Sequence, residues 1–314
     1  MRGYVLTRIA ASCVTLLVVT FIAFGAINLV PGSVVDVLAG DQGYTKEQAK
    51  ELEHQLGMDK PLPQRYATWL GNVFEGDLGH SLKSGRNVTD IVQHTLPVTL
   101  ELAIISTLVT IAIGIPLGII TAIRQDKAED HLLRGASIAF ISIPSFWLGT
   151  MIIVLPSIWW HWTPPLIFKD LSEDPYANLK MLAIPALILG ANSAALVIRV
   201  TRSAMLEVLR EDYVRTARSK GLPEMLVIQR HAVKNALLPV ITVLGGQFAF
   251  LMGGTVVVEV IFGIPGMGQA MVNAINARDF QVITGLTLVI GAIVVFVNLL
   301  VDLMYRVLDP RITL

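Results

Sequence analysis

The chain has 314 residues, 54% of them hydrophobic and 15% charged, against roughly 25% charged in an ordinary soluble domain, and this excludes a water-soluble globular class. Lysine plus arginine equals aspartate plus glutamate at 24 each, so net charge implies no nucleic-acid partner and the placement of the charges carries the information. The single cysteine, Cys13, lies inside the first apolar run, so no internal disulfide can form.

In chain order, six uncharged runs predict six transmembrane helices: Ile9–Val30, Leu102–Ile123, Gly135–Trp160, Met181–Ile198, Ala236–Val258 and Phe280–Val301. Arg2 and Arg8 precede the first run as they would in a signal peptide, but the run is too long for a cleaved h-region, so an uncleaved anchor is expected. Pro116, Pro144, Pro156 and Pro185 sit within or beside the runs and predict kinks. If the N-terminus is cytoplasmic, fifteen lysines and arginines fall in inside segments and nine in outside ones, which places both termini in the cytoplasm.

The segment between the first two runs reads as a small helical cap on the outer side. Thr45-Lys46-Glu47-Gln48 has capping-box spacing for a helix ending at Gly57, Gln64–Phe74 is a second amphipathic stretch, and Glu75 to Ser81 is turn-rich. The expected organisation is therefore 1–30 for the N-terminus and first helix, 31–97 for the extracytoplasmic segment, 98–306 for the membrane core with a cytoplasmic loop at 199–235, and 307–314 for a cytoplasmic tail.

The charged loop from Arg199 to Lys234 stands apart from its oily surroundings. The charges by themselves are accounted for by a solvated basic loop at the lipid surface. Asp212 is a candidate N-cap, Tyr213 to Lys220 contains no breaker, and Gly221 suits a left-handed C′ position. Leu222-Pro223 then restarts a helix, so two helices meet at a glycine elbow. A short helix presented in this way suits docking into a groove on a partner. The small Ala217 is expected at the closest approach to that partner, with Arg215 and Arg218 sharing a face that meets acidic groups.

Catalytic and metal-binding patterns are absent: no GxxxxGK[ST], HExxH, CxxC or GxSxG occurs, and no histidine has a second ligand at metal spacing. The sequence therefore predicts a protein that is not itself an enzyme and holds no cofactor or metal. Glu101, Glu259, Asp302 and Arg306 lie at span ends, where snorkelling to the interface accounts for them. No ionisable residue falls at a span centre, whereas ion-driven carriers bind their coupling ion there, so the driving force must come from outside the spans.

Gly114-xxx-Gly118, Gly245 and Gly246 fit close helix packing. Gly253 and Gly254, together with Asn192, Gln247 and Asn298, are polar or small span residues that would face a passage or another helix. Ile261 to Gly268 packs three glycines and a proline into eight residues, which makes Pro265, Gly266 and Met267 candidates for an outer gate or for the seat of an external binding protein, with a tight lipid-facing turn as the equal alternative.

A family resemblance rests on stretches running nearly end to end. They are RGYVLTRIAASCVTLLVVTFIAF with LVPG at 29–32, LGMDKPLPQRY at 56–66, GDLGHS at 76–81, TLPVTLELA at 95–103 and SIPSFWLG at 142–149. RVTRSAMLEVLREDYVRTARSKGL at 199–222, RHAVKNALLPVIT at 230–242, GGTVVVEVIFGIPGMGQ at 253–269, RDF at 278–280 and NLLVDLMYRVLDPRI near the end complete the set. In order and spacing the chain resembles a permease subunit of a binding-protein-dependent ABC importer, of the dipeptide, oligopeptide and nickel branch in its B-type form. That resemblance implies the type I ABC importer permease fold and a bacterial inner-membrane location. It also implies a heterodimer with a second permease, two cytoplasmic ATPase subunits carrying ATP and magnesium, and a solute-binding protein outside. The loop would carry the EAA motif and its coupling helix, with Asp212, Tyr213, Arg215, Thr216, Ala217, Arg218 and Gly221 as the contact set. Counted back from Gly221, Glu-Ala-Ala falls on Arg215, Thr216 and Ala217, so the motif's glutamate is replaced by arginine, and Leu238-Pro239 comes later than in the general pattern. Short peptides are the leading substrate class, with nickel chelates or oligosaccharides carried by the same machinery as alternatives. A stand-alone channel or secondary carrier is the rival of a different class, and gene neighbourhood would separate them.

Overall fold

In the computed structural model, which describes residues 2–28, 45, 47–48, 51, 54, 59–81, 83–165 and 167–308, all regular structure is helical apart from one isolated bridge between His80 and Asn87. Five of the described helices are long and apolar enough to cross a membrane, within Leu6–Gly25, Val88–Ile123, Pro175–Val208, Glu224–Gly254 and Phe280–Met304. The chain divides into two units, Met1–Val98 with Pro265–Phe296, and Thr99–Ile264 with Val297–Leu314.

The first unit contains α1 (Arg2–Asn28), α2 (Leu62–Phe74), the start of α3 (Val88–Ile123), α11 (Met267–Asn276) and the first part of α12 (Phe280–Leu308). The α2 helix lies on α1 through its aromatic face. Tyr66 meets Phe21 and Phe24 edge-on at 5.3 and 5.6 Å between ring centroids, and Trp69 packs 5.7 Å from Phe24. The tyrosine hydroxyl shares a 2.8 Å hydrogen bond with the Thr20 hydroxyl, which is what an aromatic with a polar tip needs when its body is half-buried. Val88, Val92, Met267, Ala274, Val282 and Leu286 form the apolar centre of this unit. Gly285 admits Val88 there, since a Cβ at that position would lie 2.5 Å from the valine Cγ1. Asp279 caps α12 and accepts the Ser81 hydroxyl at 2.5 Å, so GDLGHS and RDF, far apart in sequence, close one clasp.

The second unit is arranged around α6 (Pro175–Val208), the most enclosed of the long helices. Asp174 caps it by accepting the Ala177 N–H at 3.1 Å, and Pro175 occupies its first turn. One ridge of α3 (Ser106, Thr110, Gly114, Gly118) recurs every four residues and meets α6 at Gly190, Val197 and Thr201. A Cβ on Gly114 would stand 2.7 Å from Val197 and one on Gly118 2.5 Å from Thr201, so these glycines serve helix packing as expected.

Several boundaries differ from the sequence expectation. α3 is continuous from Val88 through Pro97 and Pro116, so the boundary at 97/98 falls inside a helix rather than at its start. Pro156 and Pro185 also lie within continuous helices. At Pro144 the run Gly135–Trp160 divides into α4 (Ala128–Ser142) and α5 (Ser145–Trp160), bent by 89°. Pro144 forces Ile143 into extended backbone (φ −91, ψ 120) and removes the N–H that would have bonded to Phe140 O. The capping box is formed, with Thr45 N–H donating to Gln48 Oε1 at 2.9 Å and Gln48 N–H to Thr45 Oγ1 at 3.4 Å; the helix end expected at Gly57 lies outside the described residues, as does most of the 307–314 tail.

Candidate functional site

The loop after α6 folds into α7 (Asp212–Ser219), α8 (Glu224–Val227) and a π-helical turn (Ile228–Ala232) that leads into α9 (Val233–Gly254). Gly221 takes φ +77, the left-handed conformation expected of it, and Pro223 directly precedes α8. Asp212 is the first helical residue rather than the cap; Glu211 occupies the cap position without a side-chain bond.

The eight residues of α7 sort into two faces. Val214 and Ala217 are buried against Val227, with Val208, Leu209 and Leu222 around them. This corrects the expectation for Ala217: it is 6% exposed and faces its own chain, because the amphipathic helix has only this small pair with which to reach an apolar neighbour. Arg218 is also turned back. Its guanidinium grips Glu224 in a bidentate pair at 3.1 and 2.7 Å across the glycine elbow, and it does not share a free face with Arg215. The outward face is Asp212, Arg215, Thr216 and Ser219, spaced as one helical stripe, with Arg215 75% exposed.

At the start of α7 the Tyr213 hydroxyl accepts from Asn235 Nδ2 at 2.7 Å and donates to His231 O at 3.4 Å. Beneath the loop, Ala122, Ala204, Met205, Ile228, Ala232 and Ala236 make an apolar cluster among α3, α6, the π turn and α9. A cavity of about 200 Å³ opens beside it, bordered by Gln125, Arg210, Arg218 and Glu224.

The residues expected to line a passage differ in their individual surroundings. Asn192 donates to Phe140 O at 3.3 Å, the carbonyl whose helical partner Pro144 lacks, so its amide holds the α4–α5 bend. Gln247 is half-buried, and Gly253 is exposed with open space where a Cβ would stand. A Cβ on Gly254 would stand 3.0 Å from the Phe250 ring, and Gly245 approaches Val301. In the turn ahead of α11 Pro265 is exposed, but Gly266 is buried and Met267 is 1% exposed within the apolar centre of its unit. Met267 is therefore no accessible seat for a binding protein; its long apolar side chain fills the core instead.

Sequence reasoning missed three polar clusters. Asp130 is fully buried and takes a bidentate bond from Arg202 (2.9 and 2.7 Å) plus the Asp126 N–H at 3.1 Å, joining α4 to α6. Glu259, on α10 (Val256–Phe262), does not snorkel: it is fully buried and accepts the Thr99 and Thr255 hydroxyls, each at 2.9 Å. Glu101 accepts Asn178 Nδ2 at 2.9 Å. Partners more than 70 residues apart leave no periodic signal, and only the rarity of Asp130 and Glu259 beside apolar runs pointed to them.

Comparison with known proteins gives a full-length match. Residues 114–314 match the family described as binding-protein-dependent transport system inner membrane component, and residues 1–103 its N-terminal counterpart. The dipeptide transport system permease protein DppB of Escherichia coli (strain K12) is 37% identical over 336 residues, covering 99% of each chain. The di/tripeptide transport system permease protein DppB of Pseudomonas aeruginosa is 38% identical over 332 residues, again covering 99% of each. Among solved structures, the MetNI methionine ABC transporter in an inward facing conformation superposes with a TM-score of 0.57 at 16% identity, over 70% of this chain and 96% of that one.

Proposed function

This chain belongs to the family of binding-protein-dependent transport system inner membrane components, the membrane permeases of ABC importers, and on that premise we propose that it forms, with a second permease, the passage for short peptides. It is a membrane permease subunit and not itself an enzyme. Two cytoplasmic subunits hydrolyse ATP, a solute-binding protein delivers the peptide from outside, and α7 is the seat of the ATPase. The charge split supports a cytoplasmic α7 and cytoplasmic termini.

The observation that carries this reading is the outward stripe of α7. Eight residues are too few for a stable isolated helix, yet this one is fixed from behind by Val214, Ala217 and Arg218 and presents Asp212, Arg215, Thr216 and Ser219 to whatever docks there. The sequence places no ionisable residue at the centre of an uncharged run, so a mechanical input is expected, and a preorganised helix face delivers one with little ordering entropy lost on binding.

The test is uptake of a labelled dipeptide by the complete transporter in proteoliposomes, together with co-purification of the ATPase. Arg215→Glu reverses the charge of the stripe without touching the buried face, and both readouts should fall. Uptake of a nickel chelate or an oligosaccharide in place of the dipeptide would move the substrate assignment and leave the coupling assignment intact.

A further inference from the structure

The backbone route from α7 to the membrane helix α9 passes through two compliant joints. One is the elbow at Gly221, with φ +77 and no heavy atom within 4 Å of where a Cβ would stand. The other is the π turn, where the Val233 N–H reaches back five residues to Ile228 O. A π turn widens the helix and weakens its ladder, and such turns recur at functional sites. Displacement of α7 transmitted only along the backbone would be absorbed at these joints.

Arg218–Glu224 and the packing of Val214 and Ala217 on Val227 span the elbow, and one polar side chain crosses both joints. Among the described residues, the other polar groups of α7 bond within α7 or toward α6 and α8: Thr216 and Ser219 to their own helix, Arg215 to Asp212, and Arg218 to Glu224 and Leu209 O. Tyr213 alone reaches the far side. Its hydroxyl accepts from the Asn235 amide at 2.7 Å, beyond the π turn, and donates to His231 O at 3.4 Å, within the turn. Tyrosine has a rigid ring with two side-chain torsions, and only a hydroxyl at its tip can satisfy donor and acceptor together. Tyr213 is 41% exposed, so this is not a core contact.

We infer that Tyr213 is a positioning residue, a strut that ties displacement of α7 directly to α9 through Asn235 and His231 O. The inference rests on the reading of α7 as the ATPase seat. The experiment uses the complete transporter in proteoliposomes and reads ATP hydrolysed, peptide taken up and ATPase co-purified.

With Tyr213→Phe or Asn235→Leu the ATPase still co-purifies, and ATP hydrolysed per peptide rises about fivefold or more, within the usual range of coupling between sites. The double variant is no worse than either single one, because both break the same link. Asn235→Asp, whose carboxylate accepts the tyrosine proton, restores the parental ratio, which a purely structural role for Asn235 would not give. A parental ratio in Tyr213→Phe overturns the strut. Loss of ATPase association in that variant also overturns it, since the hydroxyl would then act at the interface. If instead Arg215→Glu leaves association and uptake unchanged, the seat itself is misplaced, a failure distinct from that of the strut.

Discussion

Gly221 and Gly118 are sensitive for opposite reasons. A Cβ on Gly221 meets nothing within 4 Å, so Gly221→Val suffers only from holding a β-branched residue at φ +77, about 1–3 kcal/mol. Gly118→Val drives a side chain into Thr201, 2.5 Å from the new Cβ, and overpacks the α3–α6 seam by about 1–3 kcal/mol or more. Thermal unfolding of the detergent-solubilised subunit should show both losses, and only the Gly118 variant should loosen α3 from α6 in cross-linking. Asn192→Leu leaves Phe140 O without the donor that replaces the one missing at Pro144, a loss of about 1–3 kcal/mol. An unchanged melting temperature for that variant would show that the bend holds itself.

Helix α7 was legible in outline and not in orientation. Gly221 and Pro223 announce its end and the next start through backbone chemistry that is local to the residue, so the sequence suffices for both. The face of Ala217 is not local. It depends on Val227, ten residues on and across the elbow, and the bond from Arg218 to Glu224 crosses the same elbow, where helical periodicity is broken. The break at Pro144 was visible as a proline, but the capping amide lies 52 residues away in α6. Two substitutions separate the faces of α7. Ala217→Trp should dislodge α7 from Val227, Val208 and Leu209 and raise amide exchange over 212–219 even in the isolated subunit. Arg215→Glu, on the exposed side, should leave that exchange unchanged.

At the scale of the whole chain, the apolar runs and the lysine and arginine distribution are long-range averages, which is why membrane character and family were readable while the clusters at Asp130, Glu259 and Asp279 were not. The orientation proposal has a direct check. With Cys13 replaced by serine, a single cysteine at Ser219 should resist a membrane-impermeant maleimide in intact cells and react after permeabilisation; labelling in intact cells would invert the topology. Asp130→Ala, which leaves Arg202 with an unpaired charge at 18% exposure, should destabilise the subunit by about 3–5 kcal/mol in the same thermal assay. A question of time follows from α1. Its tertiary neighbours include Tyr66 and Trp69 of α2 and Gly291 of α12, where a Cβ would lie 3.4 Å from Val19. About 270 residues of synthesis separate Val19 from Gly291, roughly 14–54 s at ribosomal speed. For that interval α1 stands in lipid with all its backbone bonds internal, with the Thr20–Tyr66 bond and the Phe21 and Phe24 ring contacts to Tyr66 and Trp69 available once α2 has emerged, so the clasp of α2 on α1 sets which nascent helix is already in place when the last one arrives.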